Sequence, residues 1–168
     1  AEMCQKFTMS EFPYIHGFSP KEMQRLRKQA RFAEQHIYPR IDLSGVNKLL
    51  EVGCGVGGQS EILLRRFPDI TLTGIDRSAK QLSAAQDYLG NIAYAQGRFE
   101  LKQMDASHMD CESASFDGAF ICWLLEHVTR PEDVLSEVRR VLRPGSPVYI
   151  TEVMNSSFLV DPYSPNTW

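Results

Sequence analysis

Short apolar blocks and polar stretches alternate along this chain in an order that predicts strands and helices in turn. Five short blocks contain apolar or β-branched residues and are bounded by turn-forming residues, as is typical of strands. They cover residues 48–52, 71–75, 99–104, 116–122 and 147–153. The alternation predicts one α/β domain: a Rossmann-like, doubly wound, mostly parallel sheet with helices on both faces.

Helix signals lie between and before these blocks. Ser19 and Pro20 predict the start of an N-terminal helix, and Pro39 predicts its end. Further helices are predicted over 57–67, from a cap at Ser78 to Gly90, and from Pro131 to the break at Pro144.

The composition is that of an ordinary globular domain. The chain has 168 residues, 43% of them hydrophobic and 23% charged, with a formal net charge of −3. No apolar run approaches the roughly 18 residues of a membrane span, and the acidic balance makes nucleic acid an unlikely partner. The cysteines, which lack a C-x-x-C pair or zinc spacing, favour reduced cytoplasmic thiols and no metal site. They are Cys4, Cys54, Cys111 and Cys122.

A glycine-rich turn after the first predicted strand carries the clearest chemical signal. Gly53, Gly55 and Gly57 leave the backbone open to a ligand, and the next helix directs its free N–H groups at the same place. Gly53, Gly55 and Gly58 also satisfy the dinucleotide fingerprint, with Asp76 near the position of a ribose-binding acid. By this motif alone, NAD is a strong alternative ligand.

The acids around the turn favour a cationic ligand without a phosphate. Glu51 precedes the first glycine, where its charge would repel a pyrophosphate, and Asp105 ends the third predicted strand. Ligands of doubly wound sheets bind outside the carboxyl ends of the strands, so Glu51, Asp76 and Asp105 are expected to line one site.

Taken together, these motifs resemble those of class I S-adenosylmethionine-dependent methyltransferases, and are similar to the small-molecule group of ubiquinone- and menaquinone-biosynthesis enzymes. The resemblance covers roughly residues 48–153 and departs at Gly145-Ser146, where many members have two glycines. The motifs are Glu51-Val-Gly-Cys-Gly-Val-Gly57, Asp76, Asp105-Ala106, Phe116-Asp117, Leu125-Glu126-His127 and Val141-Leu-Arg-Pro-Gly145. The resemblance implies an enzyme that uses S-adenosyl-L-methionine to methylate a small molecule.

The resemblance also implies cofactor contacts, position by position. Glu51 would lie near the methionine ammonium, Asp76 would accept from the ribose hydroxyls, and Asp105 would accept from the adenine amino group. Arg77 would flank the adenine, and the residues after the fourth strand would border the sulfonium. The implied set is Tyr14, Glu51, Gly53, Cys54, Gly55, Gly57, Asp76, Arg77, Met104, Asp105, Ala106, Cys122 and Trp123.

Several of these residues have structural alternatives. Glu51 can be a satisfied buried acid, Asp76 a helix cap and Asp105 the start of a turn, while Cys122 and Trp123 can be core residues. His127 is a weak candidate for a general base, and its packing beside the following helix is the favoured alternative.

The expected organisation is an N-terminal lid segment and helix over 1–40, a cofactor-binding core over 41–154, and a tail over 155–168. The family's C-terminal antiparallel hairpin is not evident, so the tail is expected to start a missing region, and an exposed fifth strand would invite a homodimer. Alternatives to the methyltransferase are an NAD-dependent oxidoreductase and a non-catalytic cofactor-binding module. A basic helix face of Lys21, Arg25 and Lys28 leaves RNA or an acidic protein open as a partner.

Overall fold

A computed structural model describes residues 19–152 of the chain. The strands are β1 (Lys48–Val52), β2 (Thr71–Asp76), β3 (Phe99–Gln103), β4 (Gly118–Cys122) and β5 (Val148–Thr151). The helices are α1 (Pro20–Ile37), α2 (Gly58–Arg66), α3 (Ala79–Gly90) and α4 (Pro131–Val141). Short 3₁₀ helices lie at Tyr38–Arg40, Ala93–Ala95 and Leu125–His127. Tyr14, most of the expected lid and the expected tail lie outside the described residues.

The five strands form one sheet in the order β3-β2-β1-β4-β5, and every neighbouring pair is parallel. The strand order reverses at β1, whose two neighbours are β2 and β4. In open α/β sheets this switch point creates a crevice at the carboxyl ends of the strands. The predicted fold class is confirmed, and the glycine turn after β1 lies at this crevice.

Successive residues of β1 point to opposite faces of the sheet and pack in different cores. Leu49 belongs to a core with residues of α1 and α2. Leu50 and Val52 belong to a second core with Val134 and Val138 of α4. Helices therefore cover both faces of the sheet, as the sequence predicts. No helix within residues 19–152 combines the length and the apolar character that a membrane span requires.

The predicted caps are present, and the element bounds need small corrections. The side chain of Ser19 accepts from the backbone N–H of Glu22 at 3.2 Å, which caps α1. Strand β4 begins at Gly118 rather than at Phe116, because Phe116 forms an isolated bridge with Leu142. The chain at Pro39 continues as a 3₁₀ helix after α1 has ended.

Candidate functional site

The turn between β1 and α2 has a backbone that only glycine adopts readily. Gly53, Gly55 and Gly57 have φ angles of 78°, 52° and 77°. Side chains disfavour this left-handed region, so each glycine is required by the backbone. The N–H of Gly53 donates to the carbonyl of Ile75 at 2.9 Å, which ties the turn to the end of β2.

Glu51 is a buried acid beside this turn, with only 2% of its surface exposed. The hydroxyl of Ser60, in the first turn of α2, donates to Glu51 Oε2 at 2.5 Å. Burial raises the pKa of Glu51 to about 8; the Ser60 hydrogen bond opposes this shift and the charge of Asp76 adds to it. A cation entering beside Glu51 would favour its charged form.

Asp76, the last residue of β2, accepts hydrogen bonds at both carboxylate oxygens, one from the glycine turn and one from the residue before α3. Gly55 N–H donates to Oδ2 at 3.0 Å, and Ser78 N–H donates to Oδ1 at 2.8 Å. Burial raises the pKa of Asp76 although both hydrogen bonds favour the charged form. Ser78, rather than Asp76, caps α3 through its hydroxyl, which accepts from Gln81 N–H at 3.3 Å. Each carboxylate oxygen can accept a second bond, so Asp76 keeps acceptor capacity for hydroxyl groups.

Asp105 follows β3 and is more exposed than the other two acids. Its Oδ1 accepts from the Ser107 hydroxyl at 2.7 Å and from Ser107 N–H at 2.8 Å, and these bonds lower the pKa of Asp105. The charge of Arg77, which is itself exposed, lowers this pKa further. Asp105 thus forms the turn expected as its structural alternative and still presents a charged carboxylate.

Three predicted contact residues also pack in the protein. Cys54 is buried beneath the turn, where a Cβ added at Gly74 would lie 3.1 Å from its Cβ, and burial raises the pKa of its thiol. Met104 and Ala106 are partly buried against the second core. Met104 N–H also donates to the Asp76 carbonyl at 3.0 Å, which joins the ends of β2 and β3. These residues shape the site from below, and their contact with a cofactor stays a prediction.

The end of β4 adds Cys122 and Trp123, both half-buried. Gln59 Nε2 donates to Cys122 Sγ at 3.4 Å, and burial raises the pKa of this thiol. Trp123 has a φ of 54°, which is rare for a bulky residue. The structure therefore brings β4 to the same edge as the glycine turn.

The buried polar residues in the first turn of α2 were not predicted as site residues from the sequence. Ser60 holds Glu51, and Gln59 links Cys122 to the buried Tyr38, whose hydroxyl donates to Gln59 Oε1 at 2.7 Å. The signal that could have found them is a run of polar residues, 59–61, at the start of a helix whose following residues are apolar.

His127 lies at the surface, at the end of the 3₁₀ helix Leu125–His127. Its Nε2 is 3.6 Å from Glu126 Oε1. Its role as a base stays a prediction.

The parallel sheet, its switch point and the acids around the glycine turn define a Rossmann-like ligand-binding domain, and comparisons with known proteins agree. The profile of the "Methyltransferase domain" family matches residues 50–150, more than half of the chain. The chain therefore belongs to this family, within the class I S-adenosylmethionine-dependent methyltransferases. This membership favours S-adenosylmethionine over NAD.

Individual relatives extend this comparison. The chain is 32% identical over 156 residues to O-methyltransferase resE of Aspergillus sclerotiorum, covering 91% of this chain and 56% of that relative. It thus spans little more than half of the relative's length. A SAM-dependent methyltransferase structure from Methanosarcina mazei has a TM-score of 0.56 and 30% identity, over 69% of this chain and 55% of that chain. The [4+2]-cyclase SpnF has a TM-score of 0.61 and 26% identity, over 77% and 45%.

Proposed function

We propose that this chain is the cofactor-binding core of an S-adenosylmethionine-dependent methyltransferase that acts on a small-molecule acceptor. The observation that carries this proposal is the pair of acids that flank the glycine turn, the buried Glu51 and the half-buried Asp76. A turn built for a pyrophosphate relies on N–H groups and positive charge, and a buried acid beside it would oppose the ligand. The same acids suit a cationic ligand that carries ribose hydroxyls.

The described residues fit S-adenosyl-L-methionine. When bound, this cofactor supplies an electrophilic methyl group on a sulfonium. The turn forms a cradle closed on two sides: a Cβ at Gly53 would lie 2.9 Å from Leu124 Cδ1, and a Cβ at Gly55 would lie 2.9 Å from Gln81 Oε1. Such a cradle lets the backbone approach a ligand and leaves no room for side chains.

The acids then divide the binding tasks. Asp76 accepts from the two ribose hydroxyls, while Gly55 and Ser78 fix its orientation. Glu51 holds the methionine ammonium, directly or through water. Asp105 and Arg77 meet the adenine end. Cys122 and Trp123 border the reacting methyl group, with Cys54, Met104 and Ala106 shaping the site, as the family resemblance implies.

The main catalytic tasks of this site are to align the acceptor with the methyl group and to exclude water. Transfer of the methyl group from a sulfonium needs no covalent enzyme intermediate, since the thioether that leaves is already a good leaving group. We propose a hydroxyl as the acceptor group, because the relative resE is named an O-methyltransferase. His127, on the 3₁₀ helix after β4, is the weak candidate for taking the hydroxyl proton.

We also propose the class of acceptor, the cellular compartment and the oligomeric state of the enzyme. The net charge of −3 supports a small-molecule acceptor over nucleic acid. Free thiols at Cys54, Cys111 and Cys122 support a reducing, cytoplasmic compartment. Within the described part of the chain, one side of β5 has no neighbouring strand, which supports a homodimer.

Calorimetric titration with S-adenosylhomocysteine, S-adenosylmethionine and NAD tests the cofactor. We expect both S-adenosyl compounds to bind and NAD to give no heat. Asp76→Ala should weaken S-adenosylhomocysteine binding by about 30-fold through two lost hydrogen bonds, whereas Asp87→Ala, an exposed acid on α3, should not change it. Binding of NAD without any response to the S-adenosyl compounds would show that the proposal is wrong.

Methyl transfer needs its own test, because the likeness to the cyclase SpnF makes binding without methyl transfer a second candidate function. The full-length protein should transfer a radiolabelled methyl group from S-adenosylmethionine to at least one compound in a panel of phenols and aliphatic alcohols. Tight S-adenosylhomocysteine binding with no transfer to any hydroxyl compound would favour the second candidate.

A further inference from the structure

A side chain from the end of β5 holds the segment that follows β4. This segment, residues 123–125, is called the connector below. Its N–H groups all point toward the end of β5. Trp123 N–H donates to the Thr151 carbonyl at 2.9 Å. Leu124 N–H and Leu125 N–H both donate to Glu152 Oε1, at 3.0 and 2.9 Å. One carboxylate oxygen therefore satisfies two consecutive backbone donors.

The connector has no means of capping itself. Leu124 is the N-cap of the 3₁₀ helix Leu125–His127 and makes no capping hydrogen bond through its side chain. A leucine side chain offers no acceptor, so the first N–H groups of this helix need an acceptor from elsewhere in the fold. Trp123, just before it, holds the unfavourable φ of 54°. The conformation of the connector is thus imposed by Thr151 and Glu152.

The second carboxylate oxygen of Glu152 has no hydrogen-bond partner among the described residues, so the hydrogen bonds that this carboxylate accepts there are those from the connector. Glu152 Oε2 is buried and has no hydrogen-bond partner among residues 19–152. A buried acceptor without a donor destabilises the fold, so such groups are rare in native proteins. Burying Glu152 therefore destabilises the fold through Oε2, while Oε1 makes the two hydrogen bonds to the connector.

The connector in turn contacts the glycine turn. A Cβ added at Gly53 would lie 2.9 Å from Leu124 Cδ1, so the Leu124 side chain lies directly against the first glycine. Leu124 is also joined to Cys122, at the end of β4, through Trp123. One hydrogen bond, from Leu124 N–H to Glu152, and one side-chain contact, of Leu124 with Gly53, therefore connect Glu152 with the turn.

We propose that Glu152 is a positioning residue of the cofactor site. Its carboxylate holds the connector in the conformation that keeps Leu124 against Gly53, and it thereby sets the wall of the site beside Cys122. This inference rests on the proposed function, because it takes the glycine turn to be the S-adenosylmethionine site. Glu152 acts through the connector and needs no contact with the cofactor.

The test compares Glu152→Ala and Glu152→Gln with the wild type and with Glu112→Ala, a matched loss of an exposed acid before β4. Calorimetry measures the Kd of S-adenosylhomocysteine, and NMR measures hydrogen exchange of individual amides. We expect Glu152→Ala to weaken binding about tenfold and Glu152→Gln about threefold, since an amide oxygen is a weaker acceptor than a carboxylate. Glu112→Ala should bind as the wild type does.

Amide exchange separates positioning from general destabilisation. In both Glu152 variants, the amides of Leu124 and Leu125 should exchange at least tenfold faster, while those of β1 keep their wild-type rates. Unchanged Kd and unchanged exchange in Glu152→Gln would overturn the inference, as would equal acceleration in the connector and in β1. If Glu152→Ala does not fold, the Kd and exchange rates of Glu152→Gln alone test the positioning role of Glu152. A wild type that binds no S-adenosylhomocysteine would refute the proposed function, and the exchange rates would still show whether Glu152 holds the connector.

Discussion

At the scale of single residues, burial gives Glu51 a chemistry that its position in the sequence does not reveal. Its carboxyl group is enclosed near the end of β1 and receives a hydrogen bond from Ser60. With a pKa of about 8, it holds a proton over much of the neutral range when no cation is beside it. Cofactor binding and ionisation of Glu51 are therefore expected to be coupled.

Glu51→Gln is expected to remove a pH dependence of stability. The pKa of Glu51 is raised from an ordinary 4.5 to about 8 in the folded protein. The folded state binds the proton more tightly, so wild-type stability falls as the pH rises from about 4.5 and levels off above about 8. The Gln side chain cannot ionise. At pH 9 the free energy of unfolding of the Glu51→Gln variant should therefore exceed that of the wild type by ~2 kcal/mol or more. Urea unfolding at several pH values measures this difference, and parallel pH profiles would contradict it.

Gly57→Ala should be more destabilising than Gly45→Ala. Both glycines have a positive φ, 77° and 80°, so both substitutions carry the backbone cost of about 1 kcal/mol. At Gly57 the new Cβ would also lie 3.2 Å from the Cβ of Ala85, whereas at Gly45 nothing lies within 4 Å. We expect an additional cost of about 1 kcal/mol for Gly57→Ala from this crowding. Thermal and urea unfolding give both values, and equal losses would show that crowding at α3 is negligible.

At the scale of elements, α1 supports the glycine turn from outside. Arg27 Nε donates to the carbonyl of Val56, within the turn, at 3.2 Å. Its Nη2 donates to the Ala84 carbonyl in α3 at 2.8 Å, and its guanidinium lies 4.0 Å from the Tyr88 ring centre. Arg27 therefore joins α1, the turn and α3, although the sequence placed it only on a predicted helix.

Arg27→Met is expected to loosen this junction. It removes two hydrogen bonds from a charged donor and a cation–π contact, and it keeps an apolar stem of similar length. Stability should fall by about 1–2 kcal/mol, and the Kd of S-adenosylhomocysteine should rise severalfold because the turn is less firmly held. Lys28→Met, at the next and exposed position, is the matched control and should change neither quantity. Equal effects of the two substitutions would contradict the proposed role of Arg27.

At the scale of the whole molecule, β5 is the outer strand of the sheet formed by residues 19–152, and among those residues it pairs with β4 alone. Val148 and Ile150 of β5 are 41% and 45% exposed, on the face that also carries Ala119 and Ile121 of β4. An open strand edge beside exposed apolar side chains favours pairing with another chain. The 168-residue chain is thus expected to associate through β5.

Ile150→Lys should weaken this association. The substitution places a charge on the exposed face of β5 and keeps the backbone edge intact. We expect the wild type to show a concentration-dependent mass in sedimentation velocity and Ile150→Lys to remain monomeric at the same concentrations. Phe32→Lys, which changes an apolar residue 75% exposed on α1, is the control and should associate as the wild type does. If Phe32→Lys alone prevents association, the interface lies on α1.

Local sequence signals were sufficient to predict the helices, the strands and the glycine turn. Periodic apolar residues and caps such as Ser19 and Ser78 predict the helices and strands, because these depend on near neighbours in the chain. Gly53, Gly55 and Gly57 predict the turn, because positive φ angles demand glycine. Since the carboxyl ends of parallel strands share one edge, the acids Glu51 and Asp76 could also be assigned to one site.

The tertiary structure alone decided how these groups are held and charged. The pKa of Glu51 depends on burial and on Ser60, which no spacing rule relates to it. The contacts of Arg27 with the turn and of Glu152 with the connector join residues 27 or more positions apart in the chain. Such contacts depend on how sheet and helices pack rather than on local propensity. The sequence alone thus predicted the class of ligand, whereas the fold decided which side chains hold the glycine turn and the connector in place.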